Sequence, residues 1–272
     1  MFSLRNLTLV CAVSAFALTS AAGVTSFAAE APFKPQSGQA GKDVVWVPTP
    51  QALVDKMLDM AQITKDDYLI DLGSGDGRTV ITAAKRGTRA HGIEYNPDMV
   101  KLAQFNAAQE KVSDKATFAQ ADIFQSDFSK ATVITLFLLP QLNVKLRPIL
   151  LDMKPGTRVV SNSFNMGDWN PDETVMATGE CTSWCTAYKW IIPAKVEGNW
   201  KLPNGTLNLK QNYQMLEGTL TVDGKAQPIS EAKMNGTEIA FTAGGRKYTG
   251  RVEGNAMKGN VAGGGTFSAT KA

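Results

Sequence analysis

Asp71-Leu72-Gly73-Ser74-Gly75-Asp76-Gly77 sets three glycines at alternate positions between an apolar run, Tyr68 to Leu72, and a helical pattern that begins near Arg78. Glycines there let the backbone turn sharply and let a ligand approach the main chain at a helix N-terminus, so a nucleotide-type ligand is the natural occupant. A nicotinamide-binding turn reads Gly-x-Gly-x-x-Gly. Here the third glycine arrives one residue early and Arg78 fills the expected place, which disfavours a dinucleotide. Two further acids close successive apolar runs: Glu94, followed by Tyr95, and Asp122, followed by Ile123. Each acid alone could be a turn or strand-end residue. Three of them in order, at successive strand ends, form a constellation able to share one ligand.

The same inventory removes other chemistries. The single histidine, His91, sits on a predicted strand and cannot supply Ser-His-Asp hydrolysis, Cys-His proteolysis or a histidine-rich metal centre. Three cysteines cannot build a zinc-finger ligand set, and no metal is expected. The chain of 272 residues is 43% hydrophobic and 19% charged, enough apolar surface for a real core. Its net charge of +3 is not the footprint of a dedicated nucleic-acid binder, and Ala29 to Val196 carries 18 basic against 19 acidic residues.

The elements that must hold these acids follow from periodicity. Residues 1–28 read as an export signal, with Arg5 ahead of an apolar run from Leu7 to Ala22 and a small-x-small triplet Ser26-Phe27-Ala28, cleaved after Ala28. The alternative is an uncleaved membrane anchor. With cleavage, no stable membrane span remains and the chain is exported, to a periplasm-like compartment. Two cysteines then survive, Cys181 and Cys185, whose spacing sets them opposite each other across a three-residue hairpin turn, a disulfide geometry suited to an oxidising compartment. Residues 29–45, with Pro32, Pro35, Gly38 and Gly41, read as a flexible lead-in. Thr49-Pro50 predicts an N-cap and first-turn proline for a helix burying Leu53, Val54, Met57, Leu58 and Ala61.

Over residues 46–196, strands near 68–72, 89–93, 116–120, 133–138 and 157–164 alternate with helical patterns, the last of which, Gln141 to Met153, Pro148 must kink or divide. That alternation predicts an α/β domain with a doubly wound, mostly parallel sheet. An antiparallel pair, 174–178 and 188–192, closes it. Past Val196, residues 197–272 change texture: Asn204-Gly205, Asp223-Gly224, Asn235-Gly236, Gly244-Gly245 and Gly254-Asn255 punctuate short alternating runs, the mark of a small antiparallel β domain. Gly198-Asn199-Trp200 is similar to the opening of lipocalin-type barrels, yet the remaining length is short for eight strands and names no ligand.

From about Val47 to Pro193 the sequence resembles the class I S-adenosylmethionine-dependent methyltransferases, whose first motif is an acid followed by Gly-x-Gly-x-Gly. The resemblance implies a Rossmann-like seven-stranded sheet and S-adenosylmethionine as cofactor. It makes Glu94 the ribose-binding acid, beside Tyr95, and Asp122 the adenine-contacting acid, with Ile123 against the ring. It places Asp71 at the methionine end, with Gly73, Ser74, Gly75 and Gly77 in the turn around it. Phe137-Leu-Leu-Pro140 stands where many amide and adenine-amino methyltransferases carry Asn-Pro-Pro-aromatic, which argues against those acceptors. Val47 to Pro50, Asp71 to Arg78 and Leu142 to Pro148 look more like the lysine methyltransferases acting on the ATP synthase c-subunit, which implies a protein lysine as acceptor. Acceptor contacts belong to the loops after the fourth and fifth strands, with Phe137, Asn165, Asp168 and Trp169 as candidates. The competing readings are a non-catalytic cofactor-binding or cell-envelope assembly protein, motivated by the export signal, and a nicotinamide oxidoreductase, disfavoured by Arg78.

Overall fold

The computed structural model describes residues 33–179 and 181–272; the expected export signal lies outside them. Strands β1 (Tyr68–Leu72), β2 (Arg89–Glu94), β3 (Ala116–Gln120), β4 (Val133–Leu136) and β5 (Arg158–Asn162) are parallel, and β6 (Glu173–Met176) and β7 (Thr186–Ile191) complete the sheet. The spatial order is β3-β2-β1-β4-β5-β7-β6, with β7 antiparallel to both its neighbours. β1 and β4 are buried on both faces, as their unbroken apolar runs require once helices cover each side. Helices α1 (Gln51–Ala61), α2 (Arg78–Lys85) and α3 (Pro97–Gln109) supply one core, through Leu53, Val54, Met57, Val80 and Ala103 against Leu69, Phe118 and Val160. Helix α4 (Pro140–Leu151) supplies the other, through Leu146 and Leu150 against Ile70, Leu72, Ile134 and Trp190. Period-two alternation along β1 thus feeds two cores at once.

Two local expectations need correction, at Thr49 and in the lead-in, and at Pro148 one of the two alternatives, division of the helix, falls away. Pro50, not Thr49, is the N-cap of α1; the Thr49 hydroxyl instead accepts a hydrogen bond from Asn162 Nδ2 at 3.1 Å, tying the approach to α1 onto the end of β5. Helix α4 runs through Pro148 without being divided. Residues of the lead-in are packed rather than free: the Gly38 N–H donates to the Trp46 carbonyl at 2.8 Å, the Trp46 N–H donates to the Gln39 carbonyl at 2.9 Å, and the stretch lies against the strand ends. Its apolar anchors, Val44 and Trp46, lie at and just beyond the Pro/Gly-rich part whose composition suggests flexibility.

The C-terminal domain, β8 (Gly198–Leu202) to β16 (Thr266–Lys271), is an antiparallel meander in which β16 pairs back onto β8 and so closes a barrel. β11 (Lys225–Pro228) and β12 (Ser230–Asn235) lie end to end along β10 (Met215–Val222), giving eight positions around the ring. The length does suffice for eight strands, contrary to the expectation from sequence, because two-residue turns leave nearly every residue to a strand. Asp223 and Gly224, with φ of 49° and 75°, show the turn type that permits it. Trp200, Phe241, Met234 and Met257 fill the interior. Trp169 Nε1 donates to Gln214 Oε1 at 2.9 Å and Ala194 N–H to the Gly236 carbonyl at 2.7 Å, joining the barrel to the α/β domain. Among the described residues, no helix is long and apolar enough to cross a membrane.

Candidate active site

Sequential winding proceeds from β1 toward β3 and then, after a reversal, from β4 toward β5, so a crevice opens at the carboxyl ends of β1 and β4. A cavity of about 200 Å³ fills it and extends across the ends of β1 to β5. Asp71, Gly73, Ser74, Gly75, Glu94, Tyr95, Asp122, Ile123 and Phe137 all line it. Gly77 does not. A Cβ there would stand 2.7 Å from Phe118 and 2.9 Å from Ala103, so this glycine serves the close approach of α2 to α3 and β3. Gly75, at φ 54°, is the position where a side chain would collide with Trp46 Nε1, at 2.6 Å.

The three acids sit in different electrostatic settings. Asp71 is buried, and loss of solvent pushes its carboxyl up to about 7 against the hydrogen bond it accepts from Thr135 Oγ1 at 2.7 Å; Glu94 and Asp76 add repulsion. Glu94 Oε2 accepts from the Gly75 N–H and Oε1 from the Asn96 N–H, both at 2.9 Å, so one side chain locks the glycine turn to the start of α3. Each oxygen keeps a second lone pair, and Glu94 lines the cavity. Asp122 Oδ2 accepts from Lys42 Nζ at 2.6 Å and Oδ1 from the Phe124 N–H at 2.9 Å, contacts that hold its carboxyl below the ordinary range. Lys42 also lies 4.8 Å from the centre of the exposed Tyr95 ring. The Ser74 hydroxyl is buried with no protein partner, its oxygen tucked under Gly92, 2.5 Å from where a Cβ there would stand.

Only one of the four acceptor candidates reaches this cavity. Phe137 lines it, whereas Asn165, Asp168 and Trp169 do not. Trp169 is fully buried, its ring 5.9 Å from Trp190 and 5.7 Å from Tyr213, in the seam between the two domains. Asp168 pairs with Arg147 and accepts from the Tyr213 hydroxyl at 3.1 Å. Asn165 caps its own turn by accepting from the Gly167 N–H at 3.3 Å. The sequence missed Phe164 and Trp184, which do line the cavity, together with Lys42 from the lead-in and Trp46 just after it. His91 stands apart from it, bonded to Thr117 Oγ1 at 2.8 Å, with burial lowering the pKa of its ring. Cys181 and Cys185 are joined as a disulfide, as their spacing predicts. No cluster of potential metal ligands occurs among the described residues.

A protein-lysine N-methyltransferase of Saccharolobus islandicus (strain REY15A) is 43% identical over 135 residues, which are 48% of this chain and 84% of that protein. Residues 71–173 match the family described as the ANTKMT methyltransferase domain. The chain belongs to this methyltransferase family. The ATP synthase c-subunit lysine N-methyltransferase of Rattus norvegicus is 35% identical over 53% of the chain, a match that spans 65% of the rat protein. A solved structure of an RNA methyltransferase from Salinibacter ruber, in complex with S-adenosyl-L-homocysteine, is 50% identical, with a TM-score of 0.52. The match covers 55% of this chain and 96% of that one. This methyltransferase therefore uses S-adenosylmethionine, and the acids at neighbouring strand ends and the glycine turn between them fit such a ligand. The barrel lies beyond the residues matched by the family.

Proposed function

We propose that this methyltransferase modifies the ε-amino group of a protein lysine outside the cytoplasm. The observation that carries the acceptor reading is chemical asymmetry within one cavity. Its ionisable side chains stand on the β1 to β3 side and in the lead-in, while the end beyond β4 and β5 presents Phe137, Leu138, Leu139, Leu142 and Phe164. An ammonium entering that apolar end loses solvation, which favours the neutral amine needed as nucleophile without a dedicated base. The relatives named for lysine support the same acceptor.

The cofactor's sulfonium supplies a methyl already activated for in-line displacement. The chain's own residues then have positioning work to do, an effect that can contribute ~7–11 kcal/mol. In this reading Glu94 takes the ribose hydroxyls, and Asp122 the adenine amino group once Lys42 yields or shares it. Asp71 faces the methionine ammonium, and the Gly73 to Gly75 backbone passes closely beneath. Methyl transfer forms the nitrogen–carbon bond, leaves the electron pair on sulfur and releases one proton from the amine.

The acceptor reading is tested by incubating the purified chain with methyl-labelled cofactor and envelope extract, then locating the label by mass spectrometry. Methyl on lysine Nε is the expected result. Label confined to RNA would favour the second reading, suggested by the Salinibacter ruber relative, which is described as an RNA methyltransferase. Cofactor binding with no transfer would favour a non-catalytic envelope protein. Export is supported by the charge and apolar pattern of residues 1–28 and by the disulfide. N-terminal sequencing of the expressed protein should find Ala29 first, and a membrane-bound product retaining Met1 would overturn cleavage.

A further inference from the structure

At the apolar end of the cavity three rings pack against one another, Trp184 tilted to the other two, and all three line the cavity: Phe137 after β4, Phe164 after β5 and Trp184 from the turn between β6 and β7. Their centroids are 5.9 Å apart for the two phenylalanines, and 5.8 and 5.4 Å from Trp184 to Phe137 and Phe164. Trp184 does not behave as a core residue, since 43% of it remains exposed. Its backbone adopts φ 55°, a region disfavoured for bulky side chains and one that persists only where the surroundings enforce it. The enforcement is local. Cys181 and Cys185 are bridged with their Cα atoms 5.8 Å apart, and the Ala177 N–H donates to the Cys185 carbonyl at 2.8 Å, so the turn is closed at its base.

We propose that Trp184, presented by the bridged Cys181–Cys185 turn, completes a three-ring cage that selects a cationic alkylammonium head as acceptor. The inference rests on the lysine reading above and deepens it, naming what recognises the lysine. Ring faces carry negative potential and attract a cation without forming a hydrogen bond to it. The rings, like any cation-stabilising group, oppose loss of the ammonium proton, but less than a carboxylate accepting its hydrogen bond would. Ring faces also tolerate methylation, because each added methyl enlarges the apolar contact and leaves the charge unchanged. The cage therefore accepts mono- and dimethylated lysine as well as the unmodified residue. Trp184 is the specificity-determining ring, and the disulfide turn is its positioning device.

The test uses the full chain saturated with S-adenosylhomocysteine and two probes: Nα-acetyl-Nε-trimethyllysine methylamide and its neutral isostere, in which carbon replaces the ammonium nitrogen. By calorimetry the cation should bind at least about fivefold more tightly than the isostere. W184A should bring the two affinities together, W184F should retain most of the preference, and the C181S/C185S double variant should lose most of it. S-adenosylhomocysteine affinity should stay within about twofold in all three variants, which separates loss of the cage from loss of the fold. Equal affinity for the two probes in the wild-type chain, or a preference that survives W184A, overturns the cage. A preference that survives C181S/C185S overturns the role of the turn. Label found only on RNA in the transfer experiment would refute the lysine reading, and the probe pair would still decide the cage on its own.

Discussion

Glu94, the carboxylate proposed to take the ribose hydroxyls, also holds the Gly75 and Asn96 amides, so one residue bears on both the ligand and the local architecture. Glu94→Ala should abolish measurable S-adenosylhomocysteine binding by calorimetry, while Glu94→Gln, which keeps an acceptor oxygen, should lose less; unchanged affinity in the alanine variant would refute the site. Asp71 carries a pH signature. Its carboxyl is raised to about 7 in the folded chain, so the folded state keeps a proton that the unfolded state releases near the ordinary carboxylate range. The associated stability is present in full below about pH 4, is lost as pH rises toward 7, and is flat above that. Asp71→Asn should remove a slope of at most ~1.4 kcal/mol per pH unit from urea titrations run across that window. Binding of a ligand with a cationic methionine end favours the ionised carboxylate. Affinity for S-adenosylhomocysteine should accordingly weaken below pH 7, by no more than about tenfold per unit, in the wild type and not in Asp71→Asn.

At the scale of elements, the glycine turn separates into two functions that its spacing does not distinguish. Gly75 faces the cavity and Trp46, whereas Gly77 sits at φ 84° under Phe118 and Ala103, where α2 meets α3 and β3. Gly77→Ala should therefore destabilise the fold by roughly 1–3 kcal/mol in urea unfolding. The ligand affinity of the folded fraction should stay within a few-fold. Gly75→Ala should do the reverse, with affinity lost ahead of stability. The opposite ranking in calorimetry and unfolding would show that the two positions have been misassigned. Helix starts are legible where the cap is local: Asn96 accepts from the Asp98 and Met99 amides with Pro97 in the first turn, as the Asn-Pro pair predicts. Thr49 departs from the same pattern because a tertiary partner, Asn162, claims its hydroxyl.

At the scale of the whole molecule, the barrel and the α/β domain share a buried polar seam. Gln214, in the turn between β9 (Gly205–Asn212) and β10, accepts from Trp169 Nε1 at 2.9 Å and donates to the Asn170 carbonyl at 2.8 Å, and Trp190 Nε1 donates to the Trp169 carbonyl at 2.8 Å. Gln214→Leu would leave the buried indole N–H without an acceptor, at a cost of about 1–3 kcal/mol. Thermal unfolding should shift to lower temperature with ligand affinity unaltered, because none of these groups lines the cavity. A variant that melts like the wild type would show that the seam contributes nothing to stability.

Order along the chain was enough to establish the parallel sheet, the acids at its strand ends, the disulfide and the methyl-donor class. The sheet, the acids and the disulfide rest on short-range periodicity or fixed spacing, such as Asp71 two residues before Gly73 or Cys181 four before Cys185, and the donor class on the family resemblance that those motifs carry. What required the tertiary structure was everything set by contacts between distant segments. Asp168 and Trp169 follow β5 closely enough to suggest the acceptor pocket, yet Arg147 and the barrel's Tyr213 and Gln214 draw them into the domain seam. Trp184 lies far along the chain from Phe137 and Phe164 and meets them only because β7 returns antiparallel beside β5. Hydrophobic periodicity reports which side of an element is buried, and it carries no record of which partner buries it.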